Sequence, residues 1–284
     1  MAEEGRMEAH DAHVGDAFGA SLSASSACLP GVLAVGAPTS GAPAPAAQDS
    51  MDADATFPPF GSFAASWSSP LGSPQLGIPA DGGGCGAVYV YTTRAGRKER
   101  PVLSTHLTPG PSEGAAREAG RFGHCVSVSS QGNWLAVGAP FLTRNGRRRS
   151  GAVFVYRQQD GGGFVLDQEI VSEYSLDNDR FGWSCSIDEL RGTSDYSAVL
   201  VCGCWASNTR RPGRGGGFIQ IYQRHGPDET WHLIKTVDSE GHGLFFGFSV
   251  AVSGDLISVG DPADNFEFKR HQGTLHSWAR DPNA

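Results

Sequence analysis

One three-part phrase recurs four times along this chain and constrains its fold more than any other feature. In its clearest copy a Phe-Gly pair at Phe122 leads into Cys125-Val-Ser-Val. Leu-Ala-Val-Gly-Ala-Pro follows from Leu135, and Gly-Ala-Val-Phe-Val-Tyr from Gly151. An earlier copy has Phe18-Gly, Leu-Ala-Val-Gly-Ala-Pro from Leu33 and Gly-Ala-Val-Tyr-Val-Tyr from Gly86. A third has Phe181-Gly, a degenerate Leu-Val-Cys-Gly-Cys from Leu200 and Gly-Phe-Ile-Gln-Ile-Tyr from Gly217. The fourth has Phe246-Gly, Ile-Ser-Val-Gly-Asp-Pro from Ile257 and Gly-Thr-Leu-His-Ser-Trp from Gly273. The last three Phe-Gly pairs are about 60 residues apart, a period that marks a repeat architecture.

Each copy holds three short runs of β-branched and aromatic residues separated by glycine-rich breaks, the pattern of short strands. A fourth, weaker run follows in three copies, at 102–107, 164–171 and 231–237. Four antiparallel strands per unit is the makeup of a propeller blade. The expectation is an all-β fold, a single β-propeller domain over 1–284 with about four blades. The repeats lie near 17–110, 120–172, 180–238 and 245–280, and the first is interrupted by an insertion at 39–84. With 39 Gly and 17 Pro the chain is rich in the breakers such a fold needs.

Phe-Gly followed by Gly-Ala-Pro resembles the FG-GAP repeat, best known from the head of integrin alpha subunits, here in a short form. The resemblance implies blades that pack face to face. A central strand covered on both sides reads as an unbroken apolar run, as Leu-Ala-Val-Gly-Ala does. The Phe of each pair is then a wedge between blades, and Gly36, Gly138 and Gly260 allow close backbone approach. The fourth copy lacks an outer strand. Either Arg6–Ala9 supplies it and closes a small ring, which is the favoured reading, or an open arc is completed by a second copy or another chain.

The resemblance also raises calcium, which FG-GAP repeats of the integrin type bind through acid-rich loops between the first two strands. Calcium takes six to eight oxygens. The loops here, Ser25-Ser-Ala, Ser129-Ser-Gln-Gly-Asn and Ser253-Gly-Asp, are short and poor in carboxylates. Only the third copy has acids there, Asp188, Glu189 and Asp195, at a spacing that does not fit. No metal or other cofactor is therefore expected. No HExxH, GxSxG, CxxC or P-loop order occurs, and no catalytic residue is assigned. Asp177 and Asp179, just before Phe181, read as turn residues. The six cysteines lack zinc spacing and read as structural thiols.

Charge supplies the functional candidates. The formal net charge is −8, yet cations cluster between the second and third strands of three successive repeats. They are Arg144, Arg147, Arg148 and Arg149, then Arg210, Arg211 and Arg214, then Lys269 and Arg270. Loops at the same place in successive blades project from one face, so that face is expected to be basic. The insertion carries Phe57, Phe60, Phe63 and Trp67 without a cation, and is expected to dock on a partner or on the propeller itself. The leading expectation is a non-catalytic protein-interaction scaffold, an accessory subunit of a larger assembly. An integrin-like adhesion or ligand-binding module is the alternative, and a hydrolase using the propeller channel a second one. The expected partner is acidic: a protein surface, structured RNA or an anionic lipid headgroup. No apolar run of about 18 residues occurs, so no transmembrane helix is expected. The acidic start is unlike a signal peptide. The chain as given reads as intracellular, or as extracellular if residues precede Met1. Adding calcium or a chelator should leave the melting temperature unmoved, because a native-state ligand raises it by mass action; a calcium-dependent rise of several degrees would contradict the loop analysis.

Overall fold

The computed structural model describes residues 17–25, 31–38, 85–93, 101–109, 120–160, 162–190, 197–206, 216–226, 229–239, 245–262, 264 and 273–279. Among them every regular element is a strand, and they form four antiparallel sheets. Sheet 1 runs β1 (Ser21–Ala24), β2 (Val32–Ala37), β3 (Ala87–Thr92) and β4 (Val102–Leu107) in order. Sheet 2 is β5 (Cys125–Val128), β6 (Trp134–Ala139), β7 (Ala152–Gln158) and β8 (Phe164–Ile170). Sheet 3 is β9 (Ser184–Glu189), β10 (Ala198–Cys204), β11 (Phe218–Arg224) and β12 (His232–Asp238). Sheet 4 has three strands, β13 (Ser249–Ser253), β14 (Leu256–Asp261) and β15 (Thr274–Ala279). Among the described residues the fourth repeat has no outer strand; Arg6–Ala9, expected to supply it, lies outside them, as does the 39–84 insertion.

The sheets stack through their first strands: β1 packs on β5, β5 on β9 and β9 on β13. The second strands of sheets 2 and 3 are covered from both sides, so that all of β6 and β10 is buried, while β14 is only partly so. One apolar cluster joins Val32, Ala34, Val88 and Val90 of sheet 1 to Phe122, Val126, Leu135 and Phe154 of sheet 2. A second joins Trp134, Val153 and Val155 to Phe181, Ile187, Leu200 and Phe218 across sheets 2 and 3. A third joins Val201 and Ile219 to Phe246 and Val259 across sheets 3 and 4. The third and fourth strands of sheets 1 to 3 share a register shift just before Tyr91, Tyr156 and Tyr222, so the repeat extends to its irregularities.

At the Phe-Gly turns the contact between sheets is main chain to main chain. Phe122 N–H donates to the Cys85 carbonyl, Phe181 N–H to that of Ser150 and Phe246 N–H to that of Gly216, at 3.1, 2.9 and 2.7 Å. The next residue in each acceptor segment is a glycine. At Gly151, with φ +84°, an added Cβ would collide with the Phe181 carbonyl. Gly36 and Gly138 likewise meet the Gly123 and Gly182 carbonyls of the neighbouring sheet, and Gly203 that of Gly247. Gly260 departs from expectation: an added Cβ there meets only Ser249 of its own sheet.

A second staple runs along the inner strands. Ser23, Ser127 and Ser186 each accept, at Oγ, an N–H from the next sheet: from Val128, Ile187 and Val252 at 2.9, 3.1 and 2.9 Å. Ala251 holds that place in sheet 4. The outward face of sheet 4 carries exposed Leu256, Leu275 and Ser277, where sheets 1 to 3 have Val32, Val88 and Val90 or their counterparts. Phe181→Ala should therefore cost about 3–5 kcal/mol of unfolding free energy. Leu275→Ala, at a side chain 72% exposed, should change it by less than about 0.5 kcal/mol. Equal effects in urea denaturation would show that the Phe is not a wedge.

A candidate binding face of arginines and aromatic rings

The Phe-Gly turn brings three parts of each repeat to one end of its sheet. Pairing of Cys125 with Gly138 and of Ala139 with Ala152 places residues 120–124, 140–143 and 147–151 together at that end of sheet 2. Glycines at 123, 182 and 247 take φ of +86°, +82° and +83°. Ala17, Arg121 and Arg180, each just before a Phe, are also left-handed, at +54°, +52° and +61°. Because an alanine shares it, this backbone strain belongs to the turn rather than to arginine chemistry.

The residue after each glycine points from this end and is large in three repeats: His124, Trp183 and Phe248. Their rings meet across the sheet boundaries, His124 with Trp183 at 4.4 Å and Trp183 with Phe248 at 5.9 Å between centroids. The residues that follow the second strands add Phe141 and Trp205, the latter 5.3 Å from Trp183 and 5.0 Å from Phe245. The Arg121 guanidinium lies over Phe141 at 4.4 Å, and that of Arg180 lies 5.1 Å from Phe141 and 5.5 Å from Trp205. These are cation–π distances. The indole Nε1 of Trp205 is buried without a hydrogen-bond partner among the described residues.

Arg121, Arg149 and Arg180 share this end, close enough to perturb one another. Burial and then the Arg149 charge lower the Arg121 pKa. Burial, Arg149 and Arg121 do the same to Arg180. His124 is pushed down to about 4, by burial first and then by the Arg121 and Arg180 charges. It is therefore a neutral ring near pH 7. The patch joins concentrated positive charge to half-buried aromatic surface, which suits an acidic ligand with an apolar anchor.

The expected basic loop divides. Arg144 pairs with Glu169. Arg147 donates to the carbonyls of Glu173 and Ser175 at 2.7 and 2.6 Å, tying its loop to the segment that leads into sheet 3. Arg148 is exposed, and its N–H donates to Asp177. Arg149 faces the cluster. Asp179 accepts from Leu176 N–H, so both acids before Phe181 are turn residues as expected. Arg210, Arg211, Arg214, Lys269 and Arg270 lie outside the described residues. Sequence reasoning missed Arg121, Arg180 and the rings, although aligning the four repeats exposes the column Ala20, His124, Trp183, Phe248.

At the other end, two of the three acids weighed as calcium ligands, Asp188 and Glu189, are staples, and Asp195 lies outside the described residues. Asp188 accepts from Ser130 N–H at 2.9 Å and Gly254 N–H at 2.8 Å, reaching both neighbouring sheets. Burial would raise its carboxyl, but these hydrogen bonds and others outweigh that and hold it below its ordinary value. Glu189 takes the hydroxyls of Ser129 and Ser130 and the N–H of Gln131. Among the described residues no group of three His, Cys, Asp or Glu could hold a metal ion, and no helix is long and apolar enough to cross a membrane. No family model and no curated protein matches this chain.

The depressed His124 gives a pH signature. Its folded value lies below that of the unfolded chain, near 6.5, so the unfolded chain binds more protons between about 4 and 6.5. The contribution of this group to stability is complete above that window and is lost as pH falls through it. Denaturant melts should show His124→Phe losing less stability than the parent between pH 7 and 4. Identical losses would show that folding does not depress the His124 pKa.

Proposed function

We propose that the four sheets are blades of an FG-GAP-type propeller and that the chain is a non-catalytic scaffold docking an acidic protein segment on its arginine-aromatic end. The observation that carries this reading is the convergence of Arg121 and Arg180 on Phe141, Trp183 and Trp205 across sheets 2 and 3, with the Arg149 charge close to both guanidinium groups. Arg and Trp dominate the few residues that supply most binding energy at protein interfaces. Rings already fixed against one another lose little conformational freedom on binding. Arginine meets carboxylates through paired, planar hydrogen bonds. The repeated phrase from Phe18 to Trp278 supports the family reading, and the side-by-side stacking of sheets supports the propeller.

The division within the basic loop selects the test. Arg144 and Arg147 hold the loop in place, so their loss would confuse folding with binding. Arg148→Ser with Arg149→Ser removes one exposed and one half-buried charge and leaves the Arg144 and Arg147 contacts intact. A partner retained by the parent protein from its native extract, after nuclease treatment, should be retained several-fold less by this variant at low salt, with the gap narrowing as salt screens the charges. Trp183→Ala should weaken retention at every salt concentration. Undiminished retention by both variants, with unchanged melting temperatures, would move the docking site elsewhere. Retention abolished by nuclease would replace the protein partner with RNA.

A further inference from the structure

Sheets 2 and 3 differ from the other pairs at one inner-strand position. Ser21 of sheet 1 and Ser184 of sheet 3 donate hydroxyls to the carbonyls of Gly123 and Gly247 in the next sheet. Cys125 stands at that position in sheet 2, and its partner across the boundary is Cys185 on β9. The two Sγ atoms are 2.8 Å apart, within about 0.8 Å of disulfide bond length. Cys185 N–H donates to Cys125 Sγ at 2.9 Å, which fixes that sulfur in place. Cys125 is half-buried and Cys185 buried, so a small reagent reaches Cys125 first.

We propose that Cys125 and Cys185 form an oxidation site, closing under hydrogen peroxide to a disulfide that bolts sheet 2 to sheet 3. The Cys125 thiolate attacks one peroxide oxygen. An S–O bond forms, the O–O bond breaks, and the departing hydroxide leaves as water after taking a proton. The Cys185 sulfur then attacks Cys125 sulfur as its own proton departs. The S–S bond forms, the S–O bond breaks and a second water leaves. Two thiols and one peroxide give one disulfide and two waters, each sulfur losing one electron. The order follows from the surroundings: the hydrogen bond with Cys125, then burial, push the Cys185 thiol well above its ordinary value, so it stays protonated while Cys125 reacts. Cys202 lies directly opposite Cys185 on β10 and is fully buried. It is the competing partner.

The bond would tie together the strands that carry His124 and Trp183, but the proposal does not depend on what those residues bind. The folded, reduced protein is treated with peroxide, then denatured, alkylated and digested without reductant. Mass spectrometry should find one linked peptide pair joining Cys125 to Cys185, with Cys202 alkylated. The melting temperature should rise after oxidation and return with dithiothreitol. Cys125→Ser, which installs the residue of sheets 1 and 3, should fold like the reduced parent and lose both the link and the rise. A Cys185–Cys202 link, or Cys125 oxidised to sulfinic acid with no link, would overturn the proposal. So would equal yields of the Cys125–Cys185 link from folded and urea-unfolded protein.

Discussion

The glycine that opens each third strand and the Phe that opens the next sheet fix how closely neighbouring sheets approach. Phe122 N–H reaches the carbonyl beside Gly86, and Phe181 N–H that beside Gly151. Each pair forms a parallel bridge between sheets. The hydrogen bond needs near-contact of two backbones, which a side chain at either glycine would block. Once the main chains are held there, the Phe ring is bound to enter the boundary. Phe122 and Phe181 are wholly buried as a result. Apolar packing supplies the driving force, but this spacing decides which side chains face each other.

From that spacing the polar staples follow. Two inner strands that close offer donors and acceptors that must be satisfied away from water. The repeats meet this with short side chains: Ser23, Ser127 and Ser186 accept an N–H from the next strand, and Ser21 and Ser184 donate to its carbonyls. A longer side chain would hold the strands apart. Asp188 and Glu189 are the exception that fits, because they act where the inner strands end and the turns of the neighbouring sheets, around Ser130 and Gly254, leave N–H groups to be met. Sheet 4 shows the rule by dropping it. With Ala251 at the acceptor position, its outward face has no hydroxyl to offer there; Ser258 bonds to Ser277 within the sheet, and Leu256 and Leu275 stand exposed.

Much of this was legible because repetition multiplies a weak signal. Of the weak fourth runs, that at 102–107 stands where expected, that at 164–171 ends one residue earlier, and that at 231–237 is shifted by one residue to 232–238. The glycines at 36 and 138 were readable as contact points, since they fall at one place in each phrase. Gly260 was misread because the phrase survives there while, among the described residues, only its own sheet lies within reach. The basic loop was half legible. Composition shows four arginines, but only the folded chain shows that the Glu173 and Ser175 carbonyls arrive beside Arg147 and take it out of the exposed set. The same holds for the thiols, since Cys125 and Cys185 lie in different repeats with nothing local to pair them.

The aromatic end was missed for a related physical reason. Each ring, taken alone, looks like a core residue that follows a turn. Only stacking of the sheets brings the rings of His124, Trp183 and Phe248 into contact, and only the left-handed turn before each Phe lays Arg121 and Arg180 beside Phe141. The turn itself is required by the sheet spacing, because the Phe N–H must aim back at the preceding sheet. The residues on either side of Phe-Gly are therefore held rigidly at one end of every sheet, yet the fold places no demand on what they are. Ala17 and Ala20 occupy those places in the first repeat without altering the turn. A position that the architecture fixes in space but leaves free in chemistry is where a repeat protein can change its binding face without cost to its core. In this chain those places hold Arg121 and His124, then Arg180 and Trp183, then Phe245 and Phe248.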